Sequence, residues 1–204
     1  CAGRWSTTPD LHLSAAGVAP GKRGVINVDA HYRTGVEHIY AAGDVIGAPA
    51  LAATSMEQAR VAMSHAFDIA AKADLAPLLP TGIYTIPEIS MVGATPEALR
   101  QQRVDFIAGR ARYADNPRGR IIGDDTGLLK LLFRRDDMRL LGIHVIGEQA
   151  TELAHPGLLA LLTESGADLF NRACFNYPTL GELYKYATYD ALLQRENAGA
   201  DPTS

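Results

Sequence analysis

The sequence predicts a chain in two parts, of which the second and larger is an α+β domain. Beyond residue 76, stretches with strand character are joined by short connections, which favours an antiparallel sheet. Two helical segments follow these strands instead of alternating with them, as is typical of an α+β fold. Before that point, two stretches with strand character precede one long helical segment. We therefore expect separate units over 1–75 and 76–195, and a flexible tail over 196–204.

The composition matches an ordinary globular protein of the cytoplasm. The chain has 204 residues, 47% of them hydrophobic and 21% charged, which fits neither a disordered nor a fibrous protein. A formal net charge of −4 gives no basic excess that would indicate a nucleic-acid partner. No apolar stretch approaches the roughly 18 residues that span a bilayer, and no signal peptide opens the chain. Two cysteines fit a reducing compartment, so we expect a cytoplasmic protein without a membrane partner.

The first part of the chain combines strand, Gly-Asp, loop and helix in that order. Val25–Asp29 alternates apolar and polar residues, and His38–Val45 is an apolar stretch that contains Gly43 and Asp44. Both patterns predict strands, and small or apolar residues spaced three or four apart predict a helix over Leu51–Ala73. Gly43 would let a ligand approach the backbone, and Asp44 would accept hydrogen bonds from the hydroxyls of a sugar or ribityl chain. A plain turn is the alternative interpretation.

The second part begins after a linker near 73–80 that carries two prolines. Thr95-Pro96-Glu97 has the hydroxyl, proline and acid of a helix start, which predicts a helix to about Gln102. Alternating or apolar runs predict the strands, and longer runs predict two further helices. The predicted strands cover Gly82–Met91, Phe106–Tyr113, Arg120–Gly123, Leu128–Phe133 and Leu140–Val145, and the predicted helices cover Glu148–Ser165 and Leu180–Leu193.

One motif in the first part resembles a flavin-binding sequence. Thr34–Val45 (TGVEHIYAAGDV), followed by Leu51-Ala52, is similar to the second FAD fingerprint of the flavoprotein pyridine nucleotide–disulfide oxidoreductase family. The resemblance implies that Asp44, beside Gly43, binds the flavin ribityl chain. It also implies that Leu51 and Ala52 lie at the isoalloxazine ring, where Ala52 offers its N–H to a carbonyl. Gly3, in a Gly-Arg pair, falls where the family contacts the nicotinamide nucleotide.

The second part resembles the C-terminal dimerisation domain of the same family. Tyr84–Glu88 (YTIPE) with Val92-Gly93, and later Leu141–His144 (LGIH), match the motifs of that domain. The resemblance implies a homodimer formed through residues 76–195. It makes residues 1–75 the C-terminal remnant of an α/β FAD/NAD(P)-binding domain.

The expected catalytic position carries a departure from the family pattern. Tyr177–Glu182 (YPTLGE) stands where the disulfide reductases have H-P-T-x-x-E, in which His serves as acid–base group and Glu orients it. Tyrosine is a poor base at neutral pH, because its hydroxyl ordinarily stays protonated. The departure resembles a transhydrogenase branch, which implies hydride transfer between NADPH and NAD through FAD with Tyr177 and Glu182 as catalytic residues. The alternative is that Tyr177 and Tyr184 pack at a dimer interface and Glu182 stabilises a helix start.

The absence of a phosphate-binding loop limits what this chain is expected to do alone. No G-x-G-x-x-G occurs in the sequence, and the chain opens on Cys1 instead of methionine. Such a loop cradles the pyrophosphate of FAD or NAD(P). We therefore expect the C-terminal part of a longer polypeptide with an incomplete FAD site, inactive by itself. The histidines show no metal-binding spacing. Two alternatives stay open: a non-catalytic dimerisation module, and part of a disulfide reductase such as dihydrolipoamide dehydrogenase.

Overall fold

A computed structural model describes residues 5–199 of the chain. These residues form two compact units that separate after Pro77. Cys1 and Gly3 lie outside the described residues. The predicted contact of Gly3 with a nicotinamide nucleotide therefore stays a prediction. Within 5–199, no helix is both long and apolar enough to span a bilayer.

The first unit contains short 3-10 turns and one α-helix, and neither predicted strand forms. Val25–Asp29 and His38–Val45 contribute only single bridges, Pro20 to Ile26 and Arg33 to Tyr40. A strand needs a run of paired residues, and the described part of this unit gives each stretch one such pair. The alternating pattern was therefore a wrong indicator here.

Helix α1 (Ala52–Ala66) is shorter than the predicted Leu51–Ala73. Its end is set by Asp68, which has a φ of 52°. The N–H of Ile69 then donates to the carbonyl of Ser64 at 2.8 Å. This pattern, a left-handed residue followed by a bond back across the last turn, ends a helix because the chain turns away from the axis.

The second unit is built on a five-stranded antiparallel sheet, which confirms the predicted fold class. The strand order is β1-β2-β5-β4-β3, so β3, β4 and β5 form a meander and β2 pairs with the far side of β5. The strands are β1 (Thr81–Ile83), β2 (Glu88–Gly93), β3 (Phe106–Arg112), β4 (Leu128–Arg134) and β5 (Leu140–Gly147).

The helices of the second unit include one that the sequence predicted as a strand. Arg120–Gly123 belongs mostly to helix α3, which begins at Pro117 after the capping residue Asn116. The cap and the proline at the first position outweigh the strand character of Ile121 and Ile122. The helices of this unit are α2 (Pro96–Gln101), α3 (Pro117–Ile122), α4 (Ala150–Leu162), α5 (Ala167–Arg172) and α6 (Leu183–Gly199).

One helix was not predicted, and another ends later than expected. α5 was not predicted, and α6 continues to Gly199, past the predicted end at Leu193. The first residues of the expected tail are therefore helical, and 200–204 lie outside the described residues.

The core of the second unit lies between the sheet and helices α4, α5 and α6. Leu131 and Ile143, paired across β4 and β5, are fully buried. Helix α6 lies so close to β3 that a Cβ at Gly109 would come within 2.0 Å of the carbonyl oxygen of Ala187. Only glycine fits at this contact, because the obstacle is backbone.

Candidate functional site

The Gly43-Asp44 turn is held in place by helix α1. Gly43 has φ 84° and ψ −159°, a conformation that side chains rarely adopt. Its N–H donates to Oε1 of Gln58 at 2.7 Å, in a buried hydrogen bond. A Cβ at position 43 would approach Oγ of Ser55 to 3.1 Å. The turn is therefore fixed against the first two turns of α1.

Gln58 is a residue that the sequence interpretation missed. Its side chain is 2% exposed, four residues after the equally buried Thr54. A polar pair at i and i+4 on the inner side of an otherwise small and apolar helix is the signal that was available. Such residues are buried only when a partner satisfies them, and here the partner of Gln58 is the backbone of the predicted ligand turn.

Asp44 lines an open cavity within the first unit. The cavity has a volume of about 720 Å³, and Trp5 and Arg23 contribute to its walls. The guanidinium of Arg23 lies 5.8 Å from the centre of the Trp5 ring. An ionised carboxylate at this wall is an acceptor that suits hydroxyl groups, as the sequence indicated.

The start of α1 lies beside this turn, with Ser55 of its first turn next to Gly43. Leu51 is the extended capping residue, and the N–H of Ser55 closes the first turn on its carbonyl at 2.9 Å. The first N–H groups of a helix have no acceptor inside it. The apolar side chain of the capping residue Leu51 makes no hydrogen bond to them. The N–H of Ala52 is thus suited to an electron-rich carbonyl.

These observations fit the flavin that the family resemblance implies. A glycine that admits close approach, a carboxylate acceptor and a helix N-terminus with an apolar capping residue lie within one unit. Gly43 lies against Ser55 in the first turn of α1, which begins at Ala52 after Leu51; the contact of Gly43, Asp44, Leu51 and Ala52 with a flavin stays a prediction. Gly3 cannot be added to them, since it is outside the described residues.

Tyr177 and Glu182 lie in the second unit, on the segment that leads into α6. Tyr177 is 70% exposed. Glu182 is half-buried at the end of a 3-10 turn, and its Oε2 is a buried atom without a hydrogen-bond partner among the described residues. A buried carboxylate oxygen without a donor is uncommon and requires explanation.

Tyr186 joins this group, and the sequence interpretation did not include it. Burial raises the pKa of Tyr186, and the negative charge of Glu182 together with the nearby Tyr177 raises it further. Tyr186 follows Glu182 by four residues, so both project from one side of the same helix start. The position therefore combines a carboxylate with two phenols.

Tyr184 does not belong to an interface surface. It is fully buried, and its hydroxyl donates to the carbonyl of Leu153 at 2.6 Å. Burial raises its pKa strongly. The alternative that placed Tyr184 at a dimer interface is wrong, because its side chain is part of the core.

Comparison with known proteins identifies the class. The family described as pyridine nucleotide-disulphide oxidoreductase matches residues 1–66, and its dimerisation domain matches residues 79–188. The chain belongs to the pyridine nucleotide-disulphide oxidoreductase family, which confirms the resemblance found in the sequence.

Curated relatives narrow the comparison further. A soluble pyridine nucleotide transhydrogenase of Mycobacterium bovis is 47% identical over 191 residues, which cover 94% of this chain and 41% of the relative. A protein of the same name from Marinobacter nauticus is 44% identical over 197 residues, with 94% and 42% covered. The chain thus spans about two fifths of the length of these relatives.

Solved structures agree with the fold. The HOCl-induced flavoprotein disulfide reductase RclA from Escherichia coli matches with a TM-score of 0.84 at 24% identity, over 91% of this chain and 43% of that one. LpdA from Mycobacterium tuberculosis matches with a TM-score of 0.80 at 26% identity, over 92% and 41% of the two chains.

Proposed function

We propose that this chain forms the C-terminal part of an FAD-dependent transhydrogenase that moves hydride between NADPH and NAD. The observation that carries the proposal is the exposed Tyr177, in the position where disulfide reductases carry a histidine base, with Glu182 five residues further on and both close enough to Tyr186 to raise its pKa. The 47% identity to a protein named soluble pyridine nucleotide transhydrogenase supports the same assignment.

The flavin would be held by the turn and helix start of the first unit. Asp44 would accept hydrogen bonds from ribityl hydroxyls, and the N–H of Ala52 would donate to a ring carbonyl beside Leu51. Gly43 keeps the backbone open to that approach, and Gly3 would contact the nicotinamide nucleotide. Bound FAD supplies the two-electron carrier that such a reaction needs.

Tyr177 and Glu182 would act by hydrogen bonding and not as a base. In the homodimer they would face the flavin of the second copy. The phenol of Tyr177 would donate a hydrogen bond, and Glu182 would orient the groups around it. Hydride transfer through flavin requires no thiol pair.

A cofactor experiment tests the flavin site. In the complete protein, Asp44→Ala should lose most of its bound FAD, measured by the visible spectrum of the purified protein. Asp74→Ala, at an exposed position, is the matched control and should retain it. The chain of 204 residues alone should purify colourless and inactive, because it has no pyrophosphate-binding loop. Stoichiometric yellow flavin on that chain would contradict the proposed incomplete site.

An activity experiment separates the transhydrogenase from a disulfide reductase. The complete protein should transfer hydride from NADPH to an NAD analogue and should not reduce the disulfide of lipoamide with NADH. The opposite result, together with a C-x-x-x-x-C pair in the complete protein, would favour the reductase alternative.

A dimerisation module is the second candidate, favoured by the exposed apolar surface of the second unit. Several large apolar side chains on or near α4, α5 and α6 are at least 41% exposed, which is typical of a surface that a partner covers. They are Leu159, Leu162, Leu169, Tyr177, Tyr189 and Leu193. Light scattering should give the mass of a homodimer, and a strict monomer at high concentration would contradict this candidate.

A further inference from the structure

Asn116 is a buried amide whose hydrogen-bonding groups are used on two sides. Its side chain is fully buried. Oδ1 accepts the N–H of Arg118 at 2.9 Å and of Gly119 at 3.1 Å, which caps helix α3. Nδ2 donates to the carbonyl of Thr179 at 3.1 Å, across 63 residues of sequence. One side chain therefore joins the start of α3 to the segment that carries Tyr177 and Glu182.

Few side-chain hydrogen bonds hold this segment, residues 174–182, in place. The hydroxyl of Thr179 donates to the carbonyl of Asn176 at 2.7 Å, which is a local bond. Leu180 is 7% exposed and packs into the core. Among the described residues, the bond from Asn116 is the one side-chain hydrogen bond that ties residues 174–182 to another element. The end of the segment also bonds to α6, where the N–H of Leu183 donates to the carbonyls of Leu180 and Gly181. The position of this segment thus depends on the packing of Leu180 and Phe175, on its continuation into α6 and on one side-chain amide.

The platform on which Asn116 sits is tightly packed. A Cβ at Gly119 would lie 2.1 Å from the carbonyl oxygen of Tyr113, so α3 lies directly on the preceding turn. The hydroxyl of the fully buried Tyr113 donates to the carbonyl of Glu148 at 3.1 Å, which anchors that turn to the end of β5. Because the residues around Asn116 are tightly packed, its side chain has a fixed position, and its hydrogen bond can therefore restrict the position of Thr179.

We propose that Asn116 is a positioning residue for the reactive end of the second unit. Its amide fixes the carbonyl of Thr179 and so sets where Tyr177 and Glu182 stand, without contacting substrate or flavin. The part of the inference that concerns catalysis rests on the proposed function. The structural part, that Asn116 controls the order of this segment, is testable independently of any activity.

The sharpest variant is Asn116→Asp, which keeps the capping oxygen and the shape but removes the donor to Thr179. In the complete protein, backbone hydrogen exchange of residues 175–182 should become about tenfold faster, while exchange of residues 117–123 stays unchanged. Asn116→Ser, whose hydroxyl still caps α3 but is too short to reach Thr179, should give the same pattern without adding a charge. Agreement between the two variants guards against a folding defect in either.

A matched control removes a cap elsewhere. The hydroxyl of Thr95 accepts the N–H of Ala98 at 3.2 Å and caps α2 without a bond to the segment. Thr95→Val should therefore leave exchange at 175–182 unchanged. Unchanged exchange in both Asn116 variants, or equal acceleration in α3 and the segment, would overturn the proposal.

Kinetics then test the catalytic meaning. The Asn116 variants should lower kcat about tenfold with little change in KM, because the groups at the reactive end are misplaced and nucleotide binding is not. Faster exchange with unchanged kcat would overturn the positioning role. A wild-type protein that transfers no hydride would fail the proposed function and leave the exchange result to decide the structural part.

Discussion

The hydroxyl of Tyr184 lies inside the hydrogen-bond ladder of helix α4, where it accepts the N–H of Gly157 at 3.1 Å. The same hydroxyl donates to the carbonyl of Leu153 at 2.6 Å, the group that Gly157 would otherwise bond within the helix. A proline, Pro156, precedes Gly157 in α4, and proline weakens the local ladder. The buried phenol of Tyr184, on helix α6, thus satisfies two backbone groups of α4 that do not bond to each other.

Tyr184→Phe should destabilise the second unit by about 1–3 kcal/mol, because two backbone groups lose their buried partner. Urea unfolding followed by circular dichroism measures the change. Tyr189→Phe, at a side chain 41% exposed on the same helix, should change the free energy of unfolding by less than about 0.5 kcal/mol. Equal effects of the two substitutions would contradict this account of the hydroxyl.

Gly109→Ala should destabilise the contact between β3 and α6 by about 1–3 kcal/mol or more. The added Cβ would meet the carbonyl oxygen of Ala187 at 2.0 Å and the Cβ of Ala191 at 2.9 Å. Because the nearer obstacle is backbone, the double variant with Ala191→Gly should not recover the lost stability. Recovery in urea unfolding would show that the side chain of Ala191 is the limiting contact.

The stability of the second unit should fall as the pH drops below the ordinary histidine range, through His144. Burial lowers the pKa of His144 below its usual 6.5, and the positive charge of Lys130 lowers it further, against a smaller opposite effect of Glu97 and of the Ala94 carbonyl. The unfolded chain then binds a proton at a pH where the folded one does not. This stabilisation is therefore fully present above pH 6.5 and is lost as the pH falls toward the folded pKa.

Urea midpoints measured between about pH 8 and about pH 5 test this. His144→Gln should lose less stability on acidification than the wild type. His155→Gln, whose ring is 54% exposed, should behave as the wild type does. An identical pH dependence in all three proteins would contradict the assignment to His144.

Leu159→Arg should weaken the proposed dimer, because a charge would replace an apolar side chain on α4. Leu159 is 64% exposed, with the 44% exposed Leu162 three residues further on. Ile121→Arg on α3 is a control of equal exposure, 64%. Light scattering over a dilution series should show a dissociation constant raised at least about tenfold for Leu159→Arg alone. Equal effects of both variants would place the interface elsewhere.

The sequence predicted the sheet well where burial and periodicity agree. β4 and β5 are mostly apolar runs, interrupted by Lys130 and His144, and the structure places them inside the sheet with most of their apolar side chains buried. α3 was predicted as a strand because Ile121 and Ile122 dominated, although Asn116-Pro117 was a readable helix start. The strands expected in the first unit failed because periodicity says nothing about whether a partner strand is present.

The residues of the candidate site likewise fall into two groups, those that the sequence predicted and those that it did not. Gly43 and Asp44 were found from a local motif. Gln58 and Asn116 were not, because their roles depend on contacts 15 and 63 residues away in sequence. Local pattern carries no information about such long-range partners.

The bond between Gly43 and Gln58 has a consequence for ligand affinity. Since a buried hydrogen bond already fixes the backbone of the turn without any ligand, binding there loses little conformational entropy. Gln58→Leu should leave α1 folded but release the turn, so that any ligand at Asp44 must order it first. The affinity for a ligand at the Gly43-Asp44 turn would thus depend in large part on Gln58, a buried residue of α1 that the ligand does not contact.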